Sequence, residues 1–208
     1  MLAAIVLAAG QSSRMGSPKA LLLDAQGRPF VARIVRTLTA AGCTEVTVVT
    51  GAAHDAVREV LAEDDPPSRV RLARNPQPER GQLSSIWTGM DDAVRPGVSA
   101  LLLALVDAPF FSVETVRAVV HAHDTTGASI VRPARGDAHG HPVIFGRLLF
   151  DALRRADPAV GAKAIVRAHA EQIFNVAVED DGAFTDVDTP ADYARAVPRP
   201  NTTGRSGS

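Results

Sequence analysis

The 208-residue sequence has a single cysteine, few aromatic residues and no excess of either charge. One cysteine excludes an intramolecular disulfide framework, the cysteine-rich zinc modules and CxxC redox chemistry, and it is typical of a protein from a reducing cytosol. The 22 Lys and Arg residues balance 23 Asp and Glu residues, which excludes the broad positive surface that non-specific nucleic-acid or membrane-surface binding requires. A charged ligand must therefore be held by a local cluster of residues.

Long apolar runs are also missing, because none approaches the roughly 20 residues that cross a bilayer. The first ten residues are apolar but lack a basic flank and lead directly into polar residues, so they predict a strand and not a signal peptide. We expect a soluble, cytoplasmic protein with neither a membrane nor a nucleic-acid partner. The length suits one domain, residues 1–197. The Pro-, Gly-, Ser- and Thr-rich residues 198–208 are predicted to be a disordered tail.

Apolar runs rich in β-branched residues alternate with segments of helical period, which predicts a three-layer α/β/α, Rossmann-like fold with a mainly parallel mixed sheet. The continuous apolar run 101–106 is typical of a strand buried on both faces, so it should be central in the sheet. The predicted strands are 3–7, 46–50, 70–73, 101–106, 129–132, 143–145 and 173–178. The predicted helices are 31–38, 56–61, 84–93, 113–122, 161–170 and a short one after Pro190.

The loop 7–19, directly after the first strand, has the composition of a phosphate-binding turn. Small residues allow a ligand to approach the backbone, Ser12 and Ser13 add donors, and Arg14 and Lys19 add positive charge. The spacing does not match a Walker A loop, and GxGxxG is absent, which argues against ATPase and dehydrogenase functions. The small residues are Ala8, Ala9 and Gly10, and they directly follow Leu7.

Carboxylates follow two of the predicted strands. Asp107 stands at the carboxyl end of the most apolar strand, where open α/β sheets bind ligands, and Mg²⁺ prefers one or two carboxylates plus substrate phosphates. Asp186 and Asp188 follow the last strand and alternate along an extended segment, so only one should face a given site. We expect Asp107 and one of these two to hold the metal, while the other, or Thr189, begins the next helix.

Five motifs in the same order resemble those of the GT-A-like nucleotidyltransferases that attach a nucleotide to the molybdenum cofactor, over about residues 2 to 195. The cytidylyltransferase branch is the more similar, because its members have Leu-Ala-Ala-Gly where the guanylyl branch has Leu-Ala-Gly-Gly. Lys163 stands where the family usually has Arg, and Lys cannot reproduce a bidentate guanidinium contact. The motifs are 7–19, 75–89, Asp107-Ala108-Pro109, 140–145 and 186–190.

The resemblance implies transfer of CMP from CTP to the phosphate of a molybdopterin-type cofactor, with Mg²⁺ as metal and a molybdenum hydroxylase as the recipient of the product. It implies that Lys19, Arg14 and Asp107 are catalytic and that Asp107 and Asp188 bind the metal. The nucleotide-binding residues would be Leu7, Ala8, Ala9, Gly10, Arg14, Lys19, Asn75, Ser84 and Ser85. The acceptor-binding residues would be Gly140, His141, Pro142 and Lys163.

Two other functions stay open. The enzyme could use GTP or transfer the nucleotide to another phosphorylated acceptor. A non-catalytic role, as a carrier or chaperone of the cofactor, is the alternative from a different class.

Overall fold

The structure is a computed structural model that describes residues 1–10, 12, 15–63, 69–158 and 161–197. The predicted tail 198–208 and the predicted phosphate ligand Arg14 lie outside the described residues. Within the described part of the chain, eight strands form one sheet. They are β1 (Leu2–Ala8), β2 (Glu45–Thr50), β3 (Arg69–Arg74), β4 (Ala100–Leu105), β5 (Ile130–Arg135), β6 (Ala138–His139), β7 (Val143–Gly146) and β8 (Ile173–Ala177).

The predicted helices are found, together with α5, which the sequence pattern does not predict. The strand β6 was also unexpected, because it occupies two residues of a segment predicted as a polar loop. Across the described residues no helix is both long enough and apolar enough to cross a bilayer. The helices are α1 (Phe30–Ala40), α2 (His54–Glu63), α3 (Gln82–Ala93), α4 (Val113–Thr126), α5 (Phe150–Arg155), α6 (Ala162–Ala168) and α7 (Pro190–Ala196).

The sheet is mixed and mostly parallel, in the order β3-β2-β1-β4-β7-β5-β6, with β8 parallel to β5. β4 lies inside the sheet, as its continuous apolar sequence predicted. β1 pairs in parallel with both β2 and β4, whereas β7 is antiparallel to β4 and β5. Because parallel strands end at the same edge of the sheet, the loops that follow β1 and β4 lie side by side.

Helices cover both faces of the sheet, because successive side chains of a strand point to opposite faces. Along β1, Ala4 and Val6 pack into the core shared with α1 and α4. Ala3 and Ile5 pack into the opposite core, shared with α3, α5 and α6. The predicted three-layer α/β/α architecture is therefore present.

Candidate active site

Lys19 joins Asp107, which follows the end of β4, to Asp188, which lies in the segment between β8 and α7. Its Nζ donates a hydrogen bond to Oδ1 of Asp188 at 2.6 Å and lies 3.5 Å from Oδ2 of Asp107. Its side chain is only 12% exposed, whereas the two carboxylates are 34% and 48% exposed. The Lys19 backbone N–H donates to Ser12 Oγ at 3.0 Å, so the loop after β1 closes on itself. The ammonium group is thus held beside two solvent-accessible carboxylates.

Hydrogen bonds fix the segment that carries Asp188 against the end of β4. The Val187 N–H donates to the Asp107 carbonyl oxygen at 2.7 Å. Earlier in the same segment, the Asp180 carboxylate accepts hydrogen bonds from Thr115 Oγ1 at 2.6 Å and from the Ser112 N–H at 2.7 Å. Burial alone would raise the pKa of the Asp180 carboxyl, but these hydrogen bonds hold that pKa below its ordinary value. A charged Asp180 therefore braces this segment at neutral pH.

Asp186 lies within electrostatic range of the same cluster. Burial raises the pKa of its carboxyl above the ordinary value, and the negative charges of Asp107 and Asp188 raise it further. No three His, Cys, Asp or Glu side chains in the described ranges are arranged as a ready-made metal cage. A cation here would thus take one or two protein carboxylates and complete its shell with oxygens of a substrate, which is the usual arrangement for Mg²⁺.

The first cleft is a cavity of about 350 Å³ at this edge of the sheet, within the usual range for small-molecule sites. Seven of the residues predicted for nucleotide, catalysis or metal line it, namely Leu7, Ala9, Gly10, Lys19, Ser85, Asp107 and Asp188. Its other lining residues are Ser12, Pro78, Gly81, Gln82, Leu105 and Val106. The contributions of Pro78, Gly81 and Gln82 were missed, because a turn before a helix carries no distinctive spacing.

Three predicted nucleotide-binding residues lie behind the wall of the first cleft. The Asn75 amide N–H₂ donates to the hydroxyls of Ser84 and Ser85 at 2.8 and 3.0 Å, and its oxygen accepts the Gln77 N–H at 2.9 Å. Asn75 is 3% exposed, so its polar atoms hold the turn before α3 instead of facing a ligand. Ala8 packs into the core shared with α1 and α4. Ser84 does not line the first cleft either, whereas its neighbour Ser85 does.

The second cleft, of about 340 Å³, adjoins the first and shares Leu7, Gln82 and Leu105 with it. Apolar side chains form most of its surface, and none of its described lining residues is Asp or Glu. The predicted acceptor residues Gly140, His141 and Lys163 line it, whereas Pro142 is buried beside it. Arg132, His139 and Arg167 line it too and were missed. The i, i+4 spacing of Lys163 and Arg167 on α6 could have indicated that both share one face.

The sequence from residue 4 to residue 173 matches the family model of the MobA-like NTP transferase domain. The chain belongs to this family. Its members are nucleotidyltransferases, so the chain is a transferase enzyme of this fold.

Several known proteins are similar to nearly the whole chain. The chain is 30% identical to the nicotine blue oxidoreductase of Paenarthrobacter nicotinovorans, covering 89% of this chain and 91% of that protein. It is 26% identical to a probable molybdenum cofactor guanylyltransferase of Mycobacterium ulcerans, covering 94% and 93%. It is also similar to the crystal structure of Rv0371c from Mycobacterium tuberculosis H37Rv, with a TM-score of 0.79, 28% identity and coverage of 94% and 96%. That protein has also been solved in complex with manganese.

In this nucleotidyltransferase, charged residues from both clefts influence the pKa of the His141 imidazole. Burial lowers the pKa of its imidazole below the ordinary value, Lys163 lowers it further, and Asp107 opposes both. Its Nδ1 is buried and has no hydrogen-bond partner among the described residues, while its backbone N–H donates to the Ala183 carbonyl oxygen at 2.9 Å. The imidazole is therefore neutral at pH 7.

Gly140 allows the loop before β7 to pack against the segment that leads to Asp188. A β-carbon at this position would lie 2.2 Å from the Ala183 carbonyl oxygen. We expect Gly140→Ala to lower the free energy of unfolding by roughly 1–3 kcal/mol, because the backbone must move to accept the methyl group. Thermal melting checks this, with Gly10→Ala as the control, since open space surrounds a β-carbon there. Equal melting temperatures for the two variants would contradict the prediction.

Proposed function

We propose that this enzyme transfers CMP from CTP to the phosphate of a molybdopterin-type cofactor and releases pyrophosphate. The observation that carries the proposal is the position of Lys19 between Asp107 and Asp188, in the first cleft, which adjoins the second. An oxygen of the acceptor phosphate would form a bond to the α-phosphorus, while the bond from that phosphorus to the bridging β-phosphate oxygen breaks. Pyrophosphate leaves with the bonding electron pair.

Nucleotidyl transfer asks the protein for alignment and charge neutralisation, and it needs no nucleophilic side chain. Lys19 would stabilise the negative charge on the α-phosphate, and Arg14 would hold the departing β,γ-phosphates. Asp107 and Asp188 would hold Mg²⁺, which supplies positive charge that neutralises the triphosphate. The all-oxygen donor set suits this cation, and the manganese complex of Rv0371c supports a divalent metal in a relative of this chain.

The second cleft supports an acceptor with a largely apolar body and an anionic character. Lys163 and Arg167 have no ion pair among the described residues, and Arg132 bonds only a neutral partner, the Asn175 side-chain oxygen at 2.9 Å. Burial lowers the pKa of the Arg132 guanidinium, so an anionic ligand would compensate for the lost hydration. Gly140, His141 and Pro142 would form the loop that closes over this ligand.

The choice between CTP and GTP depends on the end of β1. Ala9 lines the first cleft and lies against Gly51, where a β-carbon would come within 2.7 Å of the Ala9 carbonyl oxygen. The Ala9 backbone therefore packs closely against Gly51, and a methyl group at this position would obstruct a purine more than a pyrimidine. One methyl group discriminates by about 1–3 kcal/mol, or about 10- to 200-fold in kcat/KM. Against this stands the guanylyltransferase name of the mycobacterial relative, so GTP is the alternative nucleotide.

The deciding experiment measures pyrophosphate release from CTP and from GTP, with and without Mg²⁺ and with and without molybdopterin. Mg²⁺- and acceptor-dependent turnover with CTP preferred at least 10-fold supports the proposal. A preference for GTP would make the enzyme a guanylyltransferase. Tight binding of molybdopterin without turnover of either nucleotide would favour the carrier role. Oxidation of NADH or NADPH is followed in parallel, since one relative is an oxidoreductase, and reductase activity without nucleotidyl transfer would overturn the proposal.

A further inference from the structure

The turn 22–29, which lies between Lys19 and α1, is closed by backbone hydrogen bonds. The Phe30 N–H donates to the Leu22 carbonyl oxygen, and the Asp24 N–H to the Arg28 carbonyl oxygen, both at 2.8 Å. At its start, the Leu22 N–H donates to the Lys19 carbonyl oxygen at 3.1 Å. The position of the Lys19 backbone therefore depends on this turn, which none of the predicted site residues belongs to.

A buried carboxylate sits inside the turn. The Asp24 side chain is 1% exposed, and its Oδ1 accepts the backbone N–H groups of Gln26 and Arg28 at 2.9 Å each. Its Oδ2 accepts from Nη1 of Arg33 at 3.3 Å. A buried charge is tolerated only where it is paired and hydrogen-bonded, and Asp24 meets both conditions through the turn and through Arg33.

Arg33 connects this turn to the end of β4. Its Nε donates to the Pro109 carbonyl oxygen at 3.0 Å, and its guanidinium lies 5.3 Å from the centre of the Phe110 ring. Pro109 is only two residues beyond Asp107. One guanidinium group therefore bonds both the turn that follows Lys19 and the loop that follows Asp107.

The segment that carries Asp188 leads into α7, and α7 contacts the same turn. The Tyr193 hydroxyl, on α7, donates to the Leu23 carbonyl oxygen at 2.8 Å. α7 begins at Pro190, two residues after Asp188. The turn 22–29 thus contacts the segments of Lys19 and Asp188 directly and is linked to the segment of Asp107 through Arg33, although it lines neither cleft.

We propose that Asp24 and Arg33 are positioning residues, which set the distances among Lys19, Asp107 and Asp188 through the turn 22–29. This proposal rests on the nucleotidyl transfer proposed above. Reacting groups stay productively aligned only if they are displaced by much less than 1 Å. A displacement of 1 Å can reduce the rate about 100-fold. Loss of the Arg33 bridge should consequently lower kcat more than it weakens nucleotide binding.

The test compares Arg33→Gln with Arg71→Gln. Arg71 is a matched control, because its side chain is 22% exposed against 26% for Arg33 and it also pairs with carboxylates. Those partners are Asp92 and Glu45, away from both clefts. We expect both variants to melt slightly below wild type, but only Arg33→Gln to lose at least 10-fold in kcat and to need more Mg²⁺ for half-maximal rate. KM for the nucleotide should change less than 3-fold.

Two further variants refine the result. Asp24→Asn keeps the shape and the acceptor oxygen but removes the charge, so it should repeat the kcat loss if Arg33→Gln does not fold. Arg33→Lys keeps the charge but cannot bond both partners, so its kcat should be intermediate. Equal kcat and Mg²⁺ dependence in the Arg33 and Arg71 variants would overturn the positioning role.

A second readout separates this inference from the proposed reaction. The affinity for Mn²⁺ in the presence of a nucleotide, measured by electron paramagnetic resonance, does not require turnover. We expect Arg33→Gln to bind Mn²⁺ at least 5-fold more weakly than Arg71→Gln. If wild type binds Mn²⁺ but transfers no nucleotide, the proposed function fails and this comparison still decides the inference. Equal Mn²⁺ affinity in the two variants would overturn it.

Discussion

Replacing Lys19 by alanine is expected to lower kcat for pyrophosphate release by about 10²- to 10³-fold, the usual loss when one preorganised charge is removed from a transition state. Among the described residues lining the first cleft, Lys19 is the only Lys or Arg. No other described residue of this lining can supply a positive charge to the α-phosphate. Its contacts with Asp188 and Asp107 involve partly exposed carboxylates, so their loss should cost about 1 kcal/mol or less in stability.

Single-turnover measurement of pyrophosphate release checks this expectation, because it reports the chemical step apart from product release. The comparison variant is Lys163→Ala, at the other lysine of the sequence, which lines the second cleft. We expect it to raise KM for the acceptor while retaining most of kcat. Turnover of Lys19→Ala within a few-fold of wild type, with an unchanged circular dichroism spectrum, would contradict the catalytic assignment of Lys19.

The sequence was sufficient for every strand except β6, for most helices and for about half of the residues that line the first cleft, because each of these depends on local patterns. Apolar runs and helical periods predict elements, and parallel strands bring their carboxyl ends together without further information. Loop 7–19 and Asp107 were consequently expected to meet, and the structure brings Lys19 within 3.5 Å of Asp107. The pairing of Lys19 with Asp188 could not be predicted from the sequence, because the alternation of Asp186 and Asp188 allows either carboxylate to face the site.

The contributions of Arg132 and Arg167 to the second cleft, and the role of the turn 22–29, escaped prediction because they depend on contacts between distant segments. Arg132 on β5 and Arg167 on α6 share a cleft although 35 positions separate them. Arg33 bonds Pro109 across 76 positions, and nothing in the spacing of either residue indicates it. Asn75 is a different case, because the family resemblance implied a nucleotide contact at this position. In the structure the side chain is buried and directs its hydrogen bonds to Gln77 in the turn before α3 and to Ser84 and Ser85 at the start of that helix.

Replacing Asp107 by asparagine is expected to reduce activity about as strongly as loss of Lys19, with a distinct dependence on metal. The amide keeps the size of the side chain but removes the charge that would hold Mg²⁺. We expect kcat at ordinary Mg²⁺ concentrations to fall about 10²- to 10³-fold and to recover in part as Mg²⁺ is raised. Asp107→Ala should abolish turnover without this recovery. Pyrophosphate release titrated with Mg²⁺ distinguishes the two variants.

Stability gives an independent measure of the same site. Asp107 and Asp188 both raise the pKa of Asp186, so negative charges repel one another in the metal-free protein, and Asp107→Asn should melt no lower than wild type without metal. Added Mg²⁺ at about 100 times its Kd should stabilise wild type by about 2.7 kcal/mol and leave the variant nearly unchanged. Asp186→Asn and Asp188→Asn, measured in the same way, identify the second ligand as the position whose loss removes the stabilisation. If Asp107→Asn is stabilised by Mg²⁺ as much as wild type, Asp107 is not a metal ligand.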